Sequence, residues 1–122
     1  FVLPHAECER IIGFDFHQGV LACGVRRPSP LIREVLPPTG RVTLAVAPRI
    51  TDPDNLGTLL RLAAAFGVDG VVLGPGSADP FSRRTLRVSM GAALAVPVIE
   101  AQDLDAALQE LRSIEVELAA TV

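Results

Sequence analysis

Two short apolar runs, 42–48 and 68–73, flank a stretch that opens on Asp52-Pro-Asp-Asn and closes on Phe66-Gly67. That order leaves the chain few options: it reads as strand, helix, strand, a βαβ unit with parallel strands and a helical crossover. Asp52 or Asp54 can cap the helix, Pro53 has the fixed φ that suits a first turn, and Gly67 stands where a helix end needs a left-handed residue. Two residues are poorly explained by packing. Asn55 falls in the first turn, at the carboxyl end of the preceding strand, where open α/β sheets gather their ligands, although a cap is the commonest role of Asn there. Arg61 is the only cation between Thr51 and Pro80. The ordinary role for such an Arg is a solvated helix charge.

From residue 41 the pattern continues regularly. Strands are expected over 42–47, 70–73, 96–99 and 115–121, with helices over 55–66, 82–94 and 104–111. Strands alternating with helices imply an α/β fold with a doubly wound parallel sheet. Right-handed crossovers place the loops after Pro48, Leu73, Ile99 and Thr121 at one sheet edge. Before residue 41 lies 26–40, with Pro28, Pro30, Pro37, Pro38 and Gly40. It can neither continue a helix nor pair as a central strand, so it reads as a linker with a short helical turn over 31–35. Residues 1–25 read as a helix over 5–12 ended by Gly13, then a loop and a short strand over 19–25.

Charge and composition narrow the function. The 122 residues carry a formal net charge of −3, which excludes a strongly basic nucleic-acid binder. The distribution matters more: 81–99 holds Arg83, Arg84 and Arg87 without an acid, whereas 100–122 holds six acids against Arg112. No apolar run approaches the roughly 20 residues that span a bilayer, and no secretory signal opens the chain. A soluble, cytoplasmic protein is expected. Cys8 and Cys23 read as two thiols of a cytosolic protein, and His5 and His17 have no third ligand near in sequence, so no metal is expected. The loop Gly74-Pro-Gly-Ser77 fits no phosphate fingerprint, because Pro75 removes a donor and the spacing is wrong, so it reads as a turn. Since the chain opens on Phe1 in what already looks like folded sequence, it is expected to be a piece of a longer protein.

The wording of the central stretch, Asp-x-x-Asn55-x-Gly57-x-x-x-Arg61-x-Ala-Ala-Ala-Phe66-Gly67, resembles the first motif of the SpoU-type (TrmH-like) RNA ribose 2′-O-methyltransferases of the SPOUT superfamily. Residues 82–98, with Ser89-Met-Gly91-Ala92 and a Pro opening the next strand, resemble that family's second motif. The resemblance implies S-adenosylmethionine as cofactor, tRNA or rRNA as substrate and a homodimer. It implies Arg61 as the catalytic residue acting at the ribose hydroxyl, directly or through a phosphate, with Asn55 positioning Arg61 or the nucleotide and Gly57 leaving room for close approach. Arg83, Arg84, Arg87, Ser89 and Gly91 become candidate RNA-binding or interface residues. Glu9-Arg-Ile-Ile-Gly-x-x-x-His17-Gln-Gly-Val resembles the end of the L30e-like RNA-binding domain that precedes the methyltransferase domain in many members. That division puts the end of an L30e-like domain at 1–25, a linker at 26–40 and the first part of a methyltransferase domain at 41–122. The family's third motif, which forms the trefoil knot and most of the cofactor pocket, is expected beyond Val122. Only Thr121 is then a candidate cofactor contact here, and the chain alone is expected to be inactive. A non-catalytic RNA-binding or dimerisation module of the same fold is the alternative. A nucleotide-binding regulatory α/β domain is weaker for want of a phosphate fingerprint.

Overall fold

The uncharged run Gly70-Val-Val-Leu73 forms β2 (Gly70–Leu73), the middle strand of a three-stranded sheet and buried along its whole length. The computed structural model describes residues 2–15, 17 and 19–120. β1 (Leu44–Ala47) pairs with β2 in parallel, Leu44 opposite Gly70 and Ala47 opposite Leu73. On the other side β3 (Val98–Glu100) pairs in parallel, Val71 opposite Val98 and Leu73 opposite Glu100.

Successive strand residues alternate between faces, and this assigns the two cores. Val71 and Leu73 point to the face covered by α3 (Pro53–Ala65), where they meet Leu56, Leu60 and Ala63 together with Ala93 and Val96. Val72 points to the other face and meets Ile99, Ala107 and Leu111 of α5 (Leu104–Ser113) and Ile32 of α2 (Ile32–Val35). Each fully buried Leu or Val contributes roughly 1.5–3 kcal/mol relative to exposure. Helices on both faces of a parallel sheet give the expected α/β layering.

The helix ends follow local chemistry. Asp52 caps α3, its Oδ1 accepting from the backbone N–H of Asp54 at 2.7 Å and of Asn55 at 3.4 Å, and Pro53 opens the first turn. Gly67, at φ +67°, ends it, with the N–H groups of Gly67 and Val68 donating to Ala64 and Ala63. These are the bonds of a Schellman motif.

Four expectations are corrected. The helix expected over 82–94 is α4 (Arg83–Val88), a break, and a 3₁₀ turn (Ala92–Leu94). Met90 (φ 56°) and Gly91 (φ 84°) are both left-handed, which no continuous helix accommodates. The strand expected over 96–99 begins later, at Val98. Pro97 lacks an N–H and contributes only its carbonyl, which accepts from Val71 at 2.9 Å. No strand forms at 19–25 among the described residues: that segment is exposed and meets no partner strand. Residues 115–120 form no strand either, although their alternation is visible in the packing of Val116 and Leu118 against the α5 face. Their first N–H groups, at Glu115 and Val116, turn back to Arg112 and Leu111 of α5, so no ladder to β1 is made. Thr121 lies outside the described residues.

Candidate active site

The carboxyl ends of the three strands open onto one edge, and the chain stitches its loops together there. The N–H of Gly74 donates to Ala47 at 2.9 Å, that of Ala78 to Ile50 at 2.7 Å and that of Ala101 to Leu73 at 2.9 Å. Ser77 Oγ accepts from the Ile50 N–H at 3.2 Å and donates to the Gly74 carbonyl at 2.8 Å. Gly74-Pro-Gly-Ser77 is therefore a turn, with Pro75 at its second position and Gly76 left-handed (φ 74°) at its third, as a type II turn requires. A cleft of about 130 Å³ lies here, lined by Leu73, 74–78 and 100–102.

α3 starts at this edge. Asp52 takes the cap, so Asn55 is not the capping side chain and stays exposed in the first turn, its amide without a hydrogen-bond partner among the described residues. Gly57 is buried against α4: a Cβ there would sit 2.7 Å from Val88 Cβ. Arg61 stands one turn further along the same stripe. It is exposed and makes no hydrogen bond or ion pair to a described residue. Six residues of helix separate Asn55 from Arg61, about 9 Å of rise, and no hydrogen bond joins them. The sequence places both on α3; the structure does not bring their side chains together.

The second motif is built differently from a plain helix. Ser89 is fully buried, and its Oγ donates to Leu86 at 3.1 Å and accepts from the Ala93 N–H at 3.4 Å. It thus bridges the break at Met90-Gly91. Of the arginines on α4, Arg84 forks onto Asp54 with two contacts of 2.5 Å, and Arg83 stacks over the Phe14 ring at 3.7 Å. Arg87 is exposed and adds to the positive field at Asp54. Arg49, which sequence reasoning passed over, lies exposed on the loop after β1 beside Gly76. Its signal was available: it directly follows the β1 run, at the edge where ligands collect.

The Arg84 hydrogen bonds hold the Asp54 carboxyl below its ordinary range, aided by the charges of Arg84 and Arg87 and opposed by desolvation. The folded pKa is thus the lower one. Stabilisation from the pair is complete above the unfolded carboxylate pKa and is lost as pH falls through the folded value. Because both side chains are about half exposed, salt screens the effect. Arg84→Ala is expected to return the Asp54 titration, followed by carboxyl carbon NMR, to the ordinary range; an unmoved titration would contradict the pairing.

On the exposed N-terminal segment, α1 (His5–Ile12) and the loop after it bring ligand atoms of His5, Glu9 and Asp15 within 4.8 Å of one another. The sequence had suggested no third ligand near the histidines. His5 Nε2 lies 3.3 Å from a Glu9 oxygen and His17 Nε2 3.1 Å from an Asp15 oxygen, and no metal is assigned to them.

The sequence profile of the SpoU rRNA Methylase family matches residues 43–122, which include the sheet, α3, α4 and α5. The chain belongs to this family. A protein of Mycobacterium bovis named as an uncharacterized tRNA/rRNA methyltransferase is 46% identical over 103 residues, 84% of this chain and 35% of that protein. A 23S rRNA guanosine 2′-O-methyltransferase of Bacillus subtilis is 44% identical over 64 residues, 52% of this chain and 25% of its own length. An AdoMet-bound rRNA methyltransferase from Sinorhizobium meliloti superposes with a TM-score of 0.60 at 34% identity, covering 71% of this chain and 33% of that one. The chain thus spans about a quarter to a third of the length of these three proteins. In this SpoU family chain, Asn55, Arg61, Arg87 and Ser89 all fall within the matched residues.

Proposed function

We propose that the protein carrying this chain transfers a methyl group from S-adenosylmethionine to a ribose 2′-hydroxyl of tRNA or rRNA. The observation that carries the reading is Arg61: a guanidinium exposed and unpaired among the described residues, on the helix that starts at the ligand edge of a SpoU family sheet. A ribose hydroxyl is a very weak acid, and a guanidinium with a pKa above ~12 is a poor base. Arg61 is suited instead to orient a phosphate with its planar fork and to stabilise the alkoxide that develops on the 2′-oxygen. Asn55 offers a free amide to the nucleotide at the sheet edge. Arg49 and Arg87 add exposed positive charge for RNA phosphates.

The described residues do not by themselves fit the cofactor. The edge cleft of about 130 Å³ falls well short of the roughly 300–1,000 Å³ that holds a ligand of that size. In this reading the rest of the pocket comes from outside these residues, and Thr121 is kept as a candidate contact. The isolated 122-residue chain is therefore expected to bind S-adenosylmethionine weakly or not at all in calorimetry; micromolar binding would overturn this account of the pocket.

The reading includes a homodimer. α3 and its C-cap leave Leu62 and Phe66 exposed one turn apart, and the α4 break leaves Met90 and Leu94 exposed. Sedimentation of the full-length protein is expected to show a dimer, and monomer alone at high micromolar concentration would count against it.

The test of function is transfer of labelled methyl from S-adenosylmethionine to RNA by the full-length protein, followed by alkaline hydrolysis. Ribose methylation leaves an alkali-resistant dinucleotide. RNA binding without any transfer would favour the non-catalytic module instead.

A further inference from the structure

The proline-rich segment is a docked strap, and its course has a functional meaning. Arg26 reaches the ligand edge at two places: its guanidinium donates to Asp79 at 3.1 Å and to Glu100 at 2.5 Å, and it lies 4.9 Å from the Phe81 ring centroid. Asp79 and Phe81 belong to the connection from β2 to α4, and Glu100 ends β3. Three residues on, Ser29 Oγ accepts from the Glu100 N–H at 2.8 Å. Ile32 is then buried, 5% exposed, against Val72, Ile99 and Leu111, and Arg33 pairs with Glu110 of α5 at 3.0 Å. At the far end Val35 fills the space over Gly70, where a Cβ would lie 2.7 Å from its Cγ1. The strap therefore runs from the carboxyl ends of the strands, across the α5 face, to their amino ends, and from there the chain enters β1.

Magnitudes divide the work along it. Burial of Ile32 in the α5-side core supplies the anchor. The exposed Arg26 pairs add less, because solvent screens surface ion pairs. What Arg26 adds is geometry: one planar group held by two carboxylates and a ring fixes where the strap meets the edge. The segment before Arg26 therefore starts from the edge where the connections after β2 and β3 meet.

We propose that Arg26 is a positioning residue, clamping the strap to the connections after β2 and β3 so that the segment before it is held over the ligand edge, where it helps seat the RNA. The proposal rests on the RNA methyltransferase reading for its substrate. The clamp itself does not, and two measurements on the full-length protein separate them.

Trypsin can cut after Arg33 only when the strap lifts, since Ile32 beside it is buried. Wild-type protein is expected to be cut there slowly, Arg26→Ala about tenfold faster, and Arg26→Lys in between, because an ammonium cannot make the fork. Equal cleavage of wild type and Arg26→Ala would overturn the clamp. In steady-state methylation, Arg26→Ala is expected to raise KM for RNA about tenfold and leave kcat within twofold, as loss of a preorganised second contact lowers effective concentration without touching the chemistry. Faster cleavage with an unchanged KM would overturn the positioning role. Complete absence of methyl transfer in the wild type would sink the reading of function and the RNA part with it, while the cleavage rates still decide the clamp.

Discussion

Arg61→Ala in the full-length protein is expected to slow single-turnover methyl transfer by about 10²–10³-fold while leaving the fold and cofactor affinity nearly intact. Removing one preorganised donor from developing negative charge typically costs about 2.7–4 kcal/mol in the transition state. The fold has no stake in this side chain, since Arg61 is exposed and pairs with no described residue. Arg61→Lys is expected to recover little of the rate, because a flexible ammonium does not reproduce a planar fork that addresses phosphate and alkoxide together. A solvated helix charge would behave otherwise: either substitution would then change the rate by about twofold or less, in line with surface changes of ±0.5 kcal/mol. Single-turnover assays with labelled cofactor separate these outcomes.

Gly74→Ala is expected to destabilise the protein more than any other glycine substitution in the sheet domain, by about 3–5 kcal/mol. A Cβ at this position would lie 2.0 Å from the Pro48 carbonyl oxygen and 2.8 Å from its carbon. Both are backbone atoms, so no rotamer relieves the clash, and one strand end must move. Movement breaks the bond from the Gly74 N–H to Ala47 and strains that from Ala78 to Ile50, each worth about 0.5–1.5 kcal/mol net, on top of the roughly 1–3 kcal/mol of overpacking. Gly57→Ala should be milder. Its new Cβ would lie 2.7 Å from Val88 Cβ and 3.1 Å from the Ser89 N, so α4 must shift away from α3, but the approach is less close than the 2.0 Å at Gly74 and the helix gains about 1 kcal/mol of propensity in return. Against a typical total stability of about 5–15 kcal/mol, the Gly74 change is large. Urea unfolding of the full-length protein measures it, and a midpoint within error of wild type would show that the β1 and β2 loops are not locked as described.

Much of the central unit was legible because its signals are local and agree with one another. Asp52, Pro53 and Gly67 mark α3 at both ends, and the uncharged 70–73 run has no option but the sheet interior. The α4 break was not legible in the same way. Residues 82–94 are rich in helix formers apart from Gly91, and Ser89 bonds both sides of the break at the left-handed pair Met90-Gly91 from a fully buried position. Tertiary packing decides that, and propensity does not. The strap was hidden for a similar reason. Prolines exclude helix and central strand, which reads as a linker with a short helical turn, but the contacts that fix it are 53 to 77 residues away in sequence. At the candidate site the residue types and their six-position spacing on one helix were visible, and Asn55 and Arg61 share α3 without meeting. Of the strand expected at 115–121, the described residues 115–120 have the right alternation and lack a ladder, because Glu115 in the left-handed region turns the chain back onto α5.

The central claim is that the reacting group is a ribose 2′-hydroxyl. The most direct measurement uses the full-length protein, labelled S-adenosylmethionine and its RNA substrate, with the mapped acceptor nucleotide replaced in a matched RNA by its 2′-deoxy form. The account predicts a 2′-O-methyl nucleoside in the natural RNA and no transfer at that position in the deoxy RNA. Equal transfer to both would place the methyl on the base and contradict it.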